Sequence, residues 1–173
     1  MAAITLERLH TLDAEQLAQL SSVLLDCVEG GASVGFMQPL SLDQAFAFWQ
    51  RVAAGVAAGE RALLVARDDV GIVGTVQLVL DQPDNQTHRA DLCKMLVHRR
   101  GRRLGLGAAL MRGAEDLARA CSKKLLVLDT ATGSDAERLY ARLGWQRVGV
   151  IPNYAHWPEG ALCGTTYFYK AMD

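Results

Sequence analysis

A chain of 173 residues and 18.8 kDa is long enough for one ordinary core and too short for two domains of usual size. With 50% hydrophobic and 21% charged residues and a mean hydropathy of +0.09, it lies outside the disordered, collagenous and low-complexity classes. Eighteen Lys and Arg against nineteen Asp and Glu give a net charge of −1, so there is no global attraction to nucleic acid or anionic lipid and any anion site must be local.

The elements follow in chain order. Ala3 to Leu9 alternates apolar Ile4 and Leu6 with polar neighbours and predicts a peripheral strand. Asp13 with Gln16, and Ser41 with Gln44, have capping-box spacing, and each opens a run with helical apolar periodicity. The first run ends at Gly30-Gly31 and the second near Gly59, with a Gly-rich loop carrying Ser33, Phe36 and Met37 between them. Ala62 to Arg67 and Ile72 to Leu80 read as an antiparallel pair joined by Asp68-Asp69-Val70-Gly71. Ala90 to Val97 is nearly continuous in apolar character, which predicts a central strand covered on both faces. A helix from about Leu106 to Ala120 and a strand from Lys124 to Asp129 make a parallel crossover. Ser134 with Glu137 opens a fourth helix ended by Gly144, and strands at Gln146 to Ile151 and Thr165 to Ala171 close the chain around a late loop, Pro152 to Gly164.

The strand-to-helix junction Val97-His98-Arg99-Arg100-Gly101-Arg102-Arg103-Leu104-Gly105-Leu106-Gly107-Ala108 is the most informative stretch. Free amides at a helix start, the positive end of the helix dipole and glycines that allow close approach suit a phosphate. It lacks the Gly-Lys-Ser/Thr of a P-loop. A dinucleotide fold remains a rival, since Gly105-x-Gly107 follows a strand and Asp129 ends the next, but the third glycine position is Leu110.

The chain resembles the GNAT acetyltransferase superfamily here. The pyrophosphate loop pattern Arg/Gln-x-x-Gly-x-Gly/Ala is matched by Arg102-x-x-Gly105-x-Gly107, and a second signature by Ala136-x-x-Leu139-Tyr140-x-x-x-Gly144-Trp145. Within the superfamily, Gly30 to Met37, Arg89-Ala90-Asp91 and Leu128-Asp129-Thr130 are similar to the tabtoxin-resistance acetyltransferases. Two family features are absent: the proline before the loop is Arg99, and an asparagine common at the second motif is Gly133. The resemblance implies an α/β acyltransferase fold over residues 1–173 as one domain, with a mixed, mostly antiparallel sheet, a central parallel pair and four flanking helices.

It also implies acetyl-CoA as cosubstrate, held by the loop amides of Arg102, Arg103, Leu104, Gly105, Leu106, Gly107 and Ala108 and by backbone groups of Met95, Leu96 and Val97. An amide near Met95 is expected to face the thioester oxygen. An amine acceptor must lose a proton before attack, for which Asp91 is the first candidate base and Asp129 the second; sharing one cleft, the two acids would raise each other's pKa. By family position Tyr140 protonates the departing thiolate. Ser33, Phe36 and Met37 are the expected substrate contacts, with Trp49, Tyr154, His156 and Trp157 as further candidates.

His10, His88, His98 and His156 form no ligand pattern, so no metal is expected. Cys27, Cys93, Cys121 and Cys163 are too widely spaced for zinc and too few for a disulfide scaffold, which predicts reduced thiols. Met1 to Arg8 has no leader pattern, and no window reaches a membrane span. The expected protein is cytoplasmic, acetylating an amine or hydroxyl of a small-molecule acceptor, with no nucleic-acid or membrane partner and a homodimer compatible with the family. Acetylation of a protein, and a non-catalytic acyl-CoA sensor, stand as rival functions.

Overall fold

The computed structural model describes residues 4–172, so Ala3 of the predicted first strand lies outside the described residues. Seven strands form one sheet in the order β1-β2-β3-β4-β5-β7-β6. In chain order they are β1 (Thr5–Leu9), β2 (Arg61–Arg67), β3 (Ile72–Val79), β4 (Arg89–Val97), β5 (Leu125–Ala131), β6 (Gln146–His156) and β7 (Leu162–Ala171). Helices α1 (Ala14–Glu29), α2 (Leu42–Ala57), α3 (Leu106–Ala120) and α4 (Asp135–Arg142) flank it. Among the described residues only β4 and β5 pair in parallel and the other pairings are antiparallel, which is not the parallel sheet of a dinucleotide fold.

Both expected capping boxes form: Asp13 accepts from the Gln16 amide at 2.7 Å and Ser41 from the Gln44 amide at 3.1 Å. Each N-cap contributes about 1 kcal/mol to its helix. The helices α1 and α2 bury Leu20, Leu24, Trp49 and Val52 against Leu63, Val65 and Ile72 on one face of the sheet. On the other face, α3 and α4 bury Leu110, Met111, Ala114 and Tyr140 against Leu64, Leu78, Leu92, Leu126 and Phe168. Trp49 is fully buried in the first of these clusters, which makes it a core residue and not a substrate contact.

The central strand departs from simple alternation. Thr75 pairs with Leu96 but Gln77 pairs with Cys93, so Lys94 and Met95 together stand opposite Val76. This is a β-bulge, and Lys94 takes the left-handed conformation at φ 51°. The extra residue inverts the pleat: Leu92 packs with α3, whereas Leu96, of the same parity, packs with α1 and α2.

The parallel pairing of β4 with β5 covers only Arg89, Ala90 and Asp91 opposite Leu125, Leu126 and Val127. Beyond Asp91 no pairing joins the two strands, and a cleft opens between them.

The late loop is shorter than the sequence predicts. The edge strand β6 continues through Pro152 to His156 because the register slips between Ile151 and Ala155, which places the proline in an irregular stretch at a sheet edge. The turn is left to residues 157–161.

Candidate functional site

The cleft between β4 and β5 has a volume of about 1180 Å³ and runs from the α3 N-terminus to the loop following α1. At one end, α3 begins without a side-chain cap: its N-cap is Gly105, at φ 76°, preceded by Arg103 at φ 62°. These left-handed residues turn successive amides towards one side, the geometry of an anion nest. The Arg102 amide donates to the Arg99 carbonyl at 3.3 Å, so the cradle starts one residue later than the motif implies. Among the described residues, the amides of Arg103 to Ala108 donate to no protein acceptor, and a Cβ at Gly105 would meet nothing within 4 Å. A run of orphaned donors ahead of a helix, with open space above, fits a diphosphate.

Arg102, Arg103, Gly105, Leu106, Gly107 and Ala108 all line the cleft; Leu104 does not, and is 62% exposed. Gly107 lets α3 approach α4, since a Cβ there would lie 3.1 Å from Leu139 Cδ2.

Three of the four loop arginines are committed to the protein. Arg99 forms ion pairs with buried Asp26 and with Glu29, Arg100 pairs with Asp68 at 2.9 Å, and Arg102 donates to the Val97 carbonyl at 3.1 Å while lying 3.8 Å from Asp26. Hydrogen bonding from Arg100 holds the Asp68 carboxyl below its usual range. Arg103, together with Arg112 of α3 and Arg142 of α4, lines the cleft without an acid partner among the described residues. Asp26 was missed as the organiser of the loop. Its signal was an acid within the apolar run Leu24-Leu25-Asp26-Cys27-Val28.

Met95, Leu96 and Val97 line the cleft where β4 has lost its neighbour. The Val97 carbonyl is already engaged by Arg102 and by the Cys27 thiol at 3.5 Å, so it is not a free acceptor as the sequence reading supposed.

The two candidate acids do not share the cleft. Asp129 and Tyr140 line it; Asp91 does not. Arg89 donates to Asp91 at 2.6 Å and Gln82 at 3.0 Å, tying that carboxylate to its own strand and the preceding loop. Asp129 accepts from Thr165 at 2.8 Å through Oδ2, and Oδ1 has no donor among the described residues. Burial, followed by the nearby Asp129 charge, pushes the Tyr140 phenol far above its ordinary value, so it holds its proton throughout the neutral range. Burial also raises the Cys93 thiol, which disfavours the thiolate needed for an acyl-enzyme route.

Of the expected substrate contacts, Ser33 lines the cleft. Phe36 instead packs edge-on against Phe48, with ring centroids 5.2 Å apart, and Met37 is exposed outside the lining. Tyr154 and Trp157 line the cleft, whereas the His156 ring is bonded to the Gly160 carbonyl at 2.9 Å. The loop after α1 and the β6–β7 turn are joined: Ser33 Oγ donates to the His156 carbonyl at 3.1 Å and the Gln38 amide to the Pro158 carbonyl at 3.0 Å.

A buried clamp fixes α4 beside the site. Lys170 of β7 donates to both Glu115 oxygens at 2.9 Å and to the carbonyl of Leu143, just past α4, while Trp145 Nε1 donates to Glu115 at 3.2 Å.

An uncapped helix start facing a cleft between diverging parallel strands offers free amides to an anionic ligand. The chain matches the acetyltransferase (GNAT) family over residues 20–145 and belongs to it. By that membership it is an N-acetyltransferase.

Among its relatives is an uncharacterised N-acetyltransferase from the hisH-hisA intergenic region of Azospirillum brasilense, 33% identical over 131 residues, which are 75% of this chain and 76% of the relative. An N-acetyltransferase of Staphylococcus aureus Mu50 shares the fold with a TM-score of 0.80 at 13% identity, over 99% of this chain and 100% of that one. The Salmonella typhimurium protein yncA, solved with its cofactor acetyl-CoA, has a TM-score of 0.79 at 20% identity over 99% and 95% of the two chains. The ribosomal-protein-alanine N-acetyltransferase of Brucella melitensis gives 0.80 at 18% identity over 96% and 99%.

Proposed function

We propose that residues 1–173 act as a single domain that transfers the acetyl group of acetyl-CoA directly to the amine of a small molecule. The observation that carries the small-acceptor reading is the pair of hydrogen bonds joining the loop after α1 to the β6–β7 turn. That bridge ties together two segments that line the same cleft as Asp129, and a folded protein surface needs a more open groove. By resemblance the acceptor is an amino-acid-like β-lactam of the tabtoxin type, and the enzyme works in the cytoplasm. Among the described residues no helix is long and apolar enough to cross a membrane.

Bound acetyl-CoA supplies a thioester carbonyl open to attack and a thiolate leaving group. The amides of Arg103 to Ala108 hold the diphosphate, and the bulged backbone at Met95 provides the donor for the carbonyl oxygen. Asp129 is the base that takes the acceptor proton, because it has a free oxygen on the cleft while Asp91 is occupied by Arg89 and Gln82. Tyr140, kept protonated, gives its proton to the sulfur as the thiolate leaves.

A thiol-release assay with acetyl-CoA across amino acids, dipeptides, polyamines, β-lactam amino acids and a lysine-bearing protein tests the reading. Turnover of small amines is expected; turnover confined to the protein acceptor overturns it.

A further inference from the structure

Two charged side chains on the strands that border the cleft have no ion-pair partner among the described residues. Lys94 lines it from β4 and Asp129 from β5, on the two strands that part there. Lys94 makes no ion pair among the described residues; its Nζ stands 5.7 Å from the centroid of the Phe48 ring, and a Cβ on Gly35 would lie 3.6 Å from it. The ammonium is thus seated between an aromatic face and the backbone of the loop after α1. The other charges nearby are used: Asp91 is held by Arg89, and Arg61 donates to Gln77 at 3.1 Å.

Packing does not explain a lysine at this position. It is the surplus residue of the bulge, in a left-handed conformation that costs a side-chain-bearing residue about 1–2 kcal/mol.

We propose that the acceptor is a zwitterion of the α-amino-acid type, its carboxylate received by Lys94 and its ammonium by Asp129. The proposal rests on the small-amine reading above and narrows it. On the two parting strands, away from the arginines of α3, its loop and α4, one cation and one anion match a molecule carrying the opposite two charges, and each attraction is stronger in a cleft than in open water. The same arrangement rejects simple amines and polyamines, because an acceptor without a carboxylate places a second cation beside Lys94 with nothing to offset it.

The experiment measures KM, and equilibrium binding in the presence of CoA, for the twenty L-amino acids and a β-lactam amino acid, and for the α-amide and decarboxylated amine of the best of them. Wild type is expected to favour the amino acid over its decarboxylated amine by about 10- to 100-fold, the range of one charge-assisted contact. In Lys94→Gln that ratio falls to near one, and Lys94→Arg keeps part of it. Equal KM values in wild type, a Lys94→Gln effect that is the same for acid and amine, or failure to bind or acetylate any amino acid overturns the proposal. Thermal stabilisation by CoA reports whether each variant folds, and if Lys94→Gln does not fold, the wild-type ratio decides alone. Acetyl transfer to some other small amine alongside any of those results defeats the zwitterion and leaves the small-amine reading standing.

Discussion

The two ends of the cleft recognise their ligands by different means. At the α3 end the protein offers backbone amides and spends most of its arginine charge internally, on Asp26, Glu29 and Asp68. At the other end it offers side chains, and Lys94 and Asp129 have no ion-pair partner among the described residues. Backbone recognition depends on chain path and tolerates changes in most side chains, whereas side-chain recognition stands or falls with single residues. Substitutions should therefore cost turnover at the acceptor end and cofactor affinity at the α3 end.

The largest effect is expected at the acid–base pair. Asp129→Asn and Tyr140→Phe should each lower kcat by about 10²-fold or more while CoA affinity, read by titration, stays near wild type. A matched loss of CoA binding would erase the distinction between the ends. Asp26→Ala removes the buried anchor of the loop and should cost about 2 kcal/mol of stability, seen in denaturant melts, and weaken CoA binding despite unmasking positive charge. Tighter CoA binding would show that net charge outweighs loop shape.

Gly105→Ala puts a Cβ on a left-handed residue, a penalty of about 1–2 kcal/mol that the cradle must carry to bind, so CoA affinity should fall about tenfold with kcat at saturation little changed. The smallest effect is expected for Asp91→Asn, within about threefold in kcat/KM, because this carboxylate is tied to Arg89 and Gln82. A loss comparable to that of Asp129→Asn would move the base to Asp91.

Stability at high pH offers a further check on the open side. Tyr167 is pushed up to about 12, first by its hydrogen bond with Tyr154, whose hydroxyl lies 3.3 Å away. A folded pKa above the unfolded value near 10 means the native state keeps the proton longer, so this contribution is full below pH 10 and is lost as pH rises towards 12. Tyr167→Phe should flatten that part of the stability profile.

What was legible in the sequence follows the same division. The capping boxes of α1 and α2, the crossover from β4 through α3 to β5, and the glycine spacing of the loop depend on local backbone chemistry, which residue order displays directly. The acceptor end is assembled from the loop after α1, β4, β5 and the strands around the last turn, and no short window holds those residues together. Phe36 and Trp49 illustrate the difficulty, because an aromatic near a site and an aromatic in a core look alike until packing is known. Asp91 was placed first because strand position identifies a carboxylate but not the arginine two residues away that occupies it. The extension of β6 was hidden by Pro152, a strand breaker that a slipped register accommodates.

The bulge in β4 is surplus to the architecture. Excising Lys94 would restore one continuous register with β3 and leave Leu92, Met95 and Leu96 each on the side of the sheet it occupies now, because removing one residue cancels the one that was inserted. The shortened protein should be the more regular of the two and an impaired catalyst, so robustness and chemistry here compete for a single amino acid.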